Sequence, residues 1–276
     1  MGNCIYCGKS AGIFKNFHKD CRQAHELGKS KIVSIVSKVG IEDDDIQLLE
    51  ASIKQIASSS YIDKPTLDSL LISGWEKAVD TVFEEGVLAE KRANALGEFQ
   101  KHFSLSKEDL DQNGAFTKIV KGAVLSEVLE GKLPERILIE GSLPFNLQKS
   151  EKLVWIFRDV DYYEEKTKTR YIGGSQGISI RMAKGLYFRT GAFQGERVQT
   201  SETIHIDTGL LGVTNKHIYF VGPLKKFRIN YNKIVSFEPF SNGIGVQRDA
   251  QTAKPQSFST GDGWFTYNLI TNLAQM

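Results

Sequence analysis

Leu211-Gly-Val-Thr-Asn-Lys-His-Ile-Tyr-Phe220 and, after six intervening residues, Phe227-Arg-Ile-Asn-Tyr-Asn-Lys-Ile-Val-Ser236 are the stretches on which the fold turns. Phe227, Ile229 and Tyr231 alternate with Lys226, Arg228 and Asn230, the period of a strand with one buried and one wet face. Similar short runs lie on both sides: 153–163, 178–182, 186–190, 203–207, 210–214, 217–221, 234–239 and 244–248. Ala183-Lys184-Gly185 reads as one hairpin turn, and Asn242-Gly243 as another, of type I′. The chain closes with Trp264, Phe265, Leu269, Ile270 and Leu273 on the apolar face of a helix.

Seven or more antiparallel strands capped by one C-terminal helix resemble a pleckstrin-homology-like (PH-like) barrel. The residues carrying the resemblance run Leu211-x-x-Thr214-x4-Tyr219-Phe220, then Ile229-x4-Ile234, then Gly243-Ile244-x-Val246. That rhythm is similar to GRAM and bacterial PH-like domains, over roughly residues 145–276. The resemblance implies fold more than function.

Towards the N-terminus, glycine and β-branched residues thin out before Leu133-Pro134, while composition shifts to strands from Ile137 onward. Residues 17–132 read as helical. A first helix, with Ile32, Ile35, Val36 and Val39 on one face, runs to Val39, and Gly40 stops it. A second starts at Ile41, where Glu42, Asp43, Asp44 and Asp45 suit the positive end of the helix dipole; its face is Ile46, Leu49, Ile53 and Ile56. Pro65-Thr66 opens a third, with Leu67, Leu71, Trp75, Ala78 and Val82 on one side and Gly86 as the break. Leu88, Leu96, Phe99 and Phe103 mark a fourth, and Ser106 is an N-cap for the next. Asp109-Leu-Asp111-Gln-Asn113-Gly114 matches the opening of an EF-hand calcium loop, but Val120 stands where the bidentate carboxylate belongs. The simpler reading is a helix interrupted at Asn113-Gly114 and resumed with Phe116, Ile119, Val120, Ala123, Val124 and Val128 facing a core.

All three cysteines of the 276 residues fall in one segment, Cys4-Ile-Tyr-Cys7-Gly8 … His18-Lys-Asp-Cys21. A Cys-x2-Cys turn followed by glycine is a knuckle that points two thiolates at one ion. His18 and Cys21, at i and i+3 on the first turn of a helix, share a face. Together they form a closed Cys₃His set for Zn²⁺, of structural type. His25, at i+4 from Cys21, is the alternative fourth ligand. No βαβ pattern surrounds the pair, against a redox Cys-x-x-Cys. The pattern resembles a short treble-clef or zinc-ribbon module. The expected class is therefore α+β and multidomain: a zinc module at 1–25, a helical region at 26–135 and a PH-like/GRAM-like β domain at 136–276.

No constellation for catalysis emerges. His205 and Asp207 lie two apart on a strand, but spacing ties no nucleophile to them. Gly173-Gly-Ser-Gln-Gly177 lacks the Lys-Ser/Thr ending of a phosphate loop. Hydrophobic residues make up 41% and charged residues 25%, with a net charge of +2 and pI near 8.3, too mild to argue alone for nucleic acid or membrane. There is no secretory signal, no span-length apolar run, and no myristoylation match, since position 6 is Tyr6. Clustered cysteines suit a reducing cytoplasm. The expected protein is a non-enzymatic cytoplasmic adaptor of bacterial or phage origin, holding a protein partner through the edge or rim of its β domain, with no small-molecule substrate identified. Two rivals stand beside it. Lys9, Lys15, Lys19 and Arg22 surround the zinc site and suit nucleic acid, without the aromatic interleaving of a stacking surface. Lys225, Lys226 and Arg228, with Lys216 and His217, suit an anionic membrane surface.

Overall fold

A computed structural model describes residues 2–12, 14–41, 45–84, 88–134, 143–169, 174–183, 186–195, 199–250 and 253–276, without the side chains of Glu84 and 166–201. The chain forms two compact units, Met1–Ala123 and Val124–Met276.

The first unit opens with a hairpin, β1 (Gly2–Asn3) and β2 (Ser10–Gly12), and continues as α1 (Lys19–Val36), α2 (Ile46–Ser59), α3 (Lys64–Glu84), α4 (Glu90–His102) and α5 (Lys107–Leu110). The unit boundary falls within α6 (Ala115–Leu129). The predicted faces pack into one core: Ile32 and Val36, Leu49 and Ile53, Leu71, Trp75, Ala78 and Val82, then Leu96 and Phe99 are buried together. Trp75 keeps its indole N–H satisfied by donating to the Leu96 carbonyl at 3.1 Å. Gly74 sets the closeness of α1 and α3, because a Cβ there would lie 2.6 Å from Cβ of Val36.

Several boundaries differ from the sequence expectation. The first helix ends at Val36, not Val39, and turns through Gly40 at φ +83°. The second begins at Ile46 with Asp45 as N-cap, its carboxylate accepting from Gln47 N–H at 2.8 Å; Glu42, Asp43 and Asp44 lie outside the described residues, as does Gly86. Ser106 caps α5 as expected, and Gly114 at φ +75° separates α5 from α6. The two carboxylates of the EF-like stretch serve as local caps. Asp111 accepts from the backbone N–H and the hydroxyl of Thr117, both at 2.7 Å, and Asp109 accepts from Ser106.

The second unit contains β3 (Leu153–Thr169), the hairpin β4 (Gly174–Ala183) and β5 (Leu186–Gly195), β6 (Gln199–Thr214), β7 (His217–Val221), β8 (Lys226–Asn230), β9 (Ile234–Phe240), β10 (Gly243–Arg248), β11 (Gln256–Ser259) and α7 (Gly263–Leu273). Seven strands form one antiparallel sheet in the order β8-β7-β6-β3-β11-β10-β9. Residues 203–214 form one strand, not two. The break expected near Thr208-Gly209 is absorbed by a bulge in β3, where Asp159 takes φ +52°. Strand β11 escaped the sequence reading, since four residues with one large apolar side chain show little alternation. Its Phe258 nonetheless joins Tyr162, Phe220 and Phe227 in an aromatic group with ring centroids 5.0 to 6.3 Å apart.

The hairpin at Asn242-Gly243 forms, but Phe240 pairs with Gly243, so Ser241 and Asn242 occupy the turn and neither has positive φ. A type I′ turn is thereby excluded. Gly243 is required for another reason: a Cβ there would sit 1.9 Å from the Phe258 carbonyl oxygen on β11. Lys184 and Gly185 of the other expected hairpin, Ile137 at the expected composition change, and Gly173 of the glycine-rich loop lie outside the described residues.

The expected barrel is not closed. Among the described residues β8 and β9 are the two edges of the sheet and do not pair, although a three-residue 3-10 turn, Tyr231–Lys233, joins them. So short a link brings the edges together at one corner, which curls the sheet. Helix α7 lies against β9 and β10, and its Phe265, Leu269, Ile270 and Leu273 complete the core.

Candidate metal centre

The knuckle is built by backbone geometry between β1 and β2. Cys4 N–H donates to the Lys9 carbonyl at 2.7 Å, Gly8 N–H donates to the Cys4 carbonyl at 2.9 Å, and Gly8 takes φ +71°, a conformation open to glycine at little cost. His18 is the N-cap of α1 and Cys21 sits in its first turn. The structure thus brings Cys4, Cys7, His18 and Cys21 together, one ligand atom from each lying within 4.8 Å of the others. Nδ1 of His18 is 3.4 Å from the Cys7 sulfur and 3.6 Å from the Cys21 sulfur. A zinc tetrahedron with Zn–S of about 2.3 Å and Zn–N of about 2.0–2.1 Å has an S···N edge of about 3.5 Å. The geometry is compatible with zinc.

The second nitrogen of His18 supports the same reading. Nε2–H donates to the Ser10 carbonyl at 3.0 Å, which leaves Nδ1 as the lone-pair nitrogen facing the sulfurs. His25, the alternative ligand, lies elsewhere: its Nδ1–H donates to the Ser60 carbonyl at 3.0 Å, and its ring packs on Tyr6 with centroids 4.8 Å apart.

The electrostatics of the donor set are also compatible with a cation. Burial raises Cys4, yet the backbone N–H groups of Cys7, His18 and Tyr6 outweigh it and bring that thiol down to about 6. Cys21 is pushed the other way, to about 11, by burial and by Cys7 and Cys4 beside it. Three thiols converging on one point resist ionising together, and a divalent ion at their centre removes that conflict. Tyr61, at the corner between α2 and α3, stands near Cys21, whose charge raises the phenol above its ordinary range. An ion held tetrahedrally by all four side chains would have no open position for a water.

Comparison with protein-family models gives no match, and neither does comparison with curated proteins. The arrangement of side chains therefore carries the functional argument.

The other sequence candidates are not brought together. His205 is exposed, with Nε2 3.2 Å from Asp161 Oδ1 and 3.0 Å from Thr208 Oγ1. Asp207 is buried and occupied: Oδ2 accepts from Leu224 N–H at 2.8 Å and Lys225 N–H at 2.7 Å, holding the turn between β7 and β8. Lys225, Lys226 and Arg228 are exposed as expected, with Leu224 at 76% exposure beside them. Lys216 and His217 are not part of that rim. They stand at the opposite end of β7, and His217 is buried.

A buried carboxylate was missed by sequence reasoning. Glu151 Oε1 accepts from Thr214 Oγ1 at 2.6 Å and from His217 Nδ1 at 2.8 Å, while Oε2 accepts from Tyr219 OH at 2.8 Å and Gln148 N–H at 2.7 Å. Burial opposes its charge, but these donors prevail and lower its pKa. With every lone pair engaged it ties the segment before β3 to the β6–β7 hairpin. A lone Glu preceding a strand carries no local signal of this role.

Among the described residues, no helix is long and apolar enough to cross a membrane.

Proposed function

We propose that this chain is a non-enzymatic recognition protein in which Zn²⁺, held by Cys4, Cys7, His18 and Cys21, is a structural clasp and a PH-like domain binds a protein partner. The seven-stranded antiparallel sheet with a C-terminal helix against it supports the PH-like reading.

The observation that carries the partner reading is the edge of β9. This strand pairs with β10 alone among the described residues, and its Val235 is 66% exposed. Beside it, a groove of about 370 Å³ runs between β9 and α7, lined by Val235, Phe237, Tyr267, Thr271 and Gln275 among others. An open edge presents unpaired backbone groups to an extended segment, and the adjacent groove can take its alternate side chains. Pro239, near the turn, shortens the part of the edge that can donate.

The test pairs metal analysis with affinity purification. The intact chain should carry zinc at unit stoichiometry and retain a partner that a Val235→Lys variant loses at unchanged melting temperature. A partner retained equally by the variant would remove the β9 reading, and absence of zinc would remove the clasp.

A further inference from the structure

The loop that leads from β2 into the metal cluster holds Phe14 in a position that folding alone does not explain. Its side chain is fully exposed, at 102%, and its backbone is in the left-handed region at φ +64°. Both features are unfavourable for an aromatic residue. Phe14, Lys15, Asn16, Phe17, Lys19 and Asp20 line a groove of about 570 Å³. The Arg22 guanidinium stands over the Phe17 ring, 5.2 Å from its centroid. Lys9, Lys15, Lys19 and Arg22 are all exposed, and against these four cations residues 1–25 contain one acidic residue, Asp20.

We propose that this groove is a binding site for single-stranded nucleic acid, with one base stacked on Phe14 and the flanking phosphates held by Lys15 and Lys19. Aromatic faces interleaved with cations form the platform that sequence-tolerant single-strand binding uses. Phe14-Lys15-Asn16-Phe17-His18-Lys19 contains that interleaving, which Lys9, Lys15, Lys19 and Arg22 taken without their neighbours do not show. Asn16 adds an amide able to donate and accept at a base edge. A concave site lined by an amide and charged groups fits a nucleotide better than the acyl region of a membrane, which favours a continuous apolar face. The loop is anchored on the C-terminal side of Phe14: Ile5 N–H donates to the Asn16 carbonyl at 2.9 Å, and His18 belongs to the metal cluster. The proposal rests on the zinc reading to the extent that the clasp sets the position of this loop.

Fluorescence anisotropy of the full-length protein with labelled twelve-residue oligo-dT and oligo-U at two salt concentrations tests it, with zinc content measured on the same samples. Vesicles with and without anionic lipid form a parallel arm. The expected result is salt-dependent oligonucleotide binding that Phe14→Leu weakens about ten-fold and Phe14→Tyr retains, with Lys15→Gln/Lys19→Gln lowering the salt slope by roughly 1.4. Zinc at unit stoichiometry with no binding overturns the proposal and leaves the clasp standing. Phe14-dependent binding without zinc does the reverse. Equal affinity of wild type and Phe14→Leu, or binding to anionic vesicles but not oligonucleotides, also overturns it.

Discussion

His25 donates through Nδ1–H to the carbonyl of Ser60, 3.0 Å away at the end of α2. His25, the alternative to His18 in sequence, thus fastens the N-terminal segment to the helices. Gly28 reinforces the joint, since a Cβ there would lie 2.3 Å from the Ser60 side chain. The cluster and α1–α5 belong to one compact unit.

The two histidines should therefore fail differently. His25→Ala is expected to destabilise the first unit by about 1 kcal/mol, the scale of one hydrogen bond, with bound zinc unchanged. His18→Ala should lose stoichiometric zinc. Thermal unfolding with elemental analysis of both variants separates the roles, and retention of full zinc by His18→Ala would count against the proposed ligand set.

Tyr61 should act on the metal without touching it. Removing its hydroxyl as Tyr61→Phe takes away a polar group that interacts with Cys21. Outer-sphere partners of metal ligands are worth roughly 10- to 100-fold in metal affinity. Competition against a chromogenic chelator should show that loss, while Tyr61→Phe keeps its melting temperature in excess zinc.

Glu151 sets an acid limit on the second unit. Its folded pKa lies below the ordinary value of 4.5, so the unfolded chain takes up a proton first as pH falls. Its contribution is fully present above about pH 4.5 and is lost as pH falls through the lower folded value. Glu151→Gln should cost roughly 3 kcal/mol at neutral pH by leaving buried donors facing an amide N–H₂. It should also flatten the decline in stability below pH 4.5, measured by urea unfolding across that range.

Asp207 and His205, two apart on β6, should differ sharply. Asp207→Ala strips three backbone N–H groups, those of Thr208, Leu224 and Lys225, of their acceptor and is expected to cost about 2–3 kcal/mol. Gly222→Ala should destabilise the same turn, because its Cβ would lie 2.3 Å from the Asp207 carboxylate. His205→Ala, at an exposed site, should change stability by less than about 0.5 kcal/mol. Chemical denaturation of the three variants checks the order.

Much was legible where the signal is local. The knuckle Cys4-x2-Cys7-Gly8 and the i, i+3 pair His18 and Cys21 concern residues a few positions apart, so turn and helix geometry alone predict their convergence. The apolar faces of α1 to α4 and the alternation Phe227-x-Ile229-x-Tyr231 are equally local. Strand β11 was not legible, because Phe258 gains its place from Tyr162, Phe220 and Phe227, all distant in sequence.

By itself, the sequence determined the three cysteine ligands with a histidine, His18 or His25, as the fourth, the helical region and the antiparallel character of the second half, since each follows from spacing against a fixed helix or strand period. Only the tertiary structure decided that His25 binds Ser60, not the cluster, that Asp207 holds a turn, and that the sheet stays open at β8 and β9. It also decided that Phe14 stands fully in solvent. These depend on which distant backbone groups meet a given side chain, and no residue spacing encodes that.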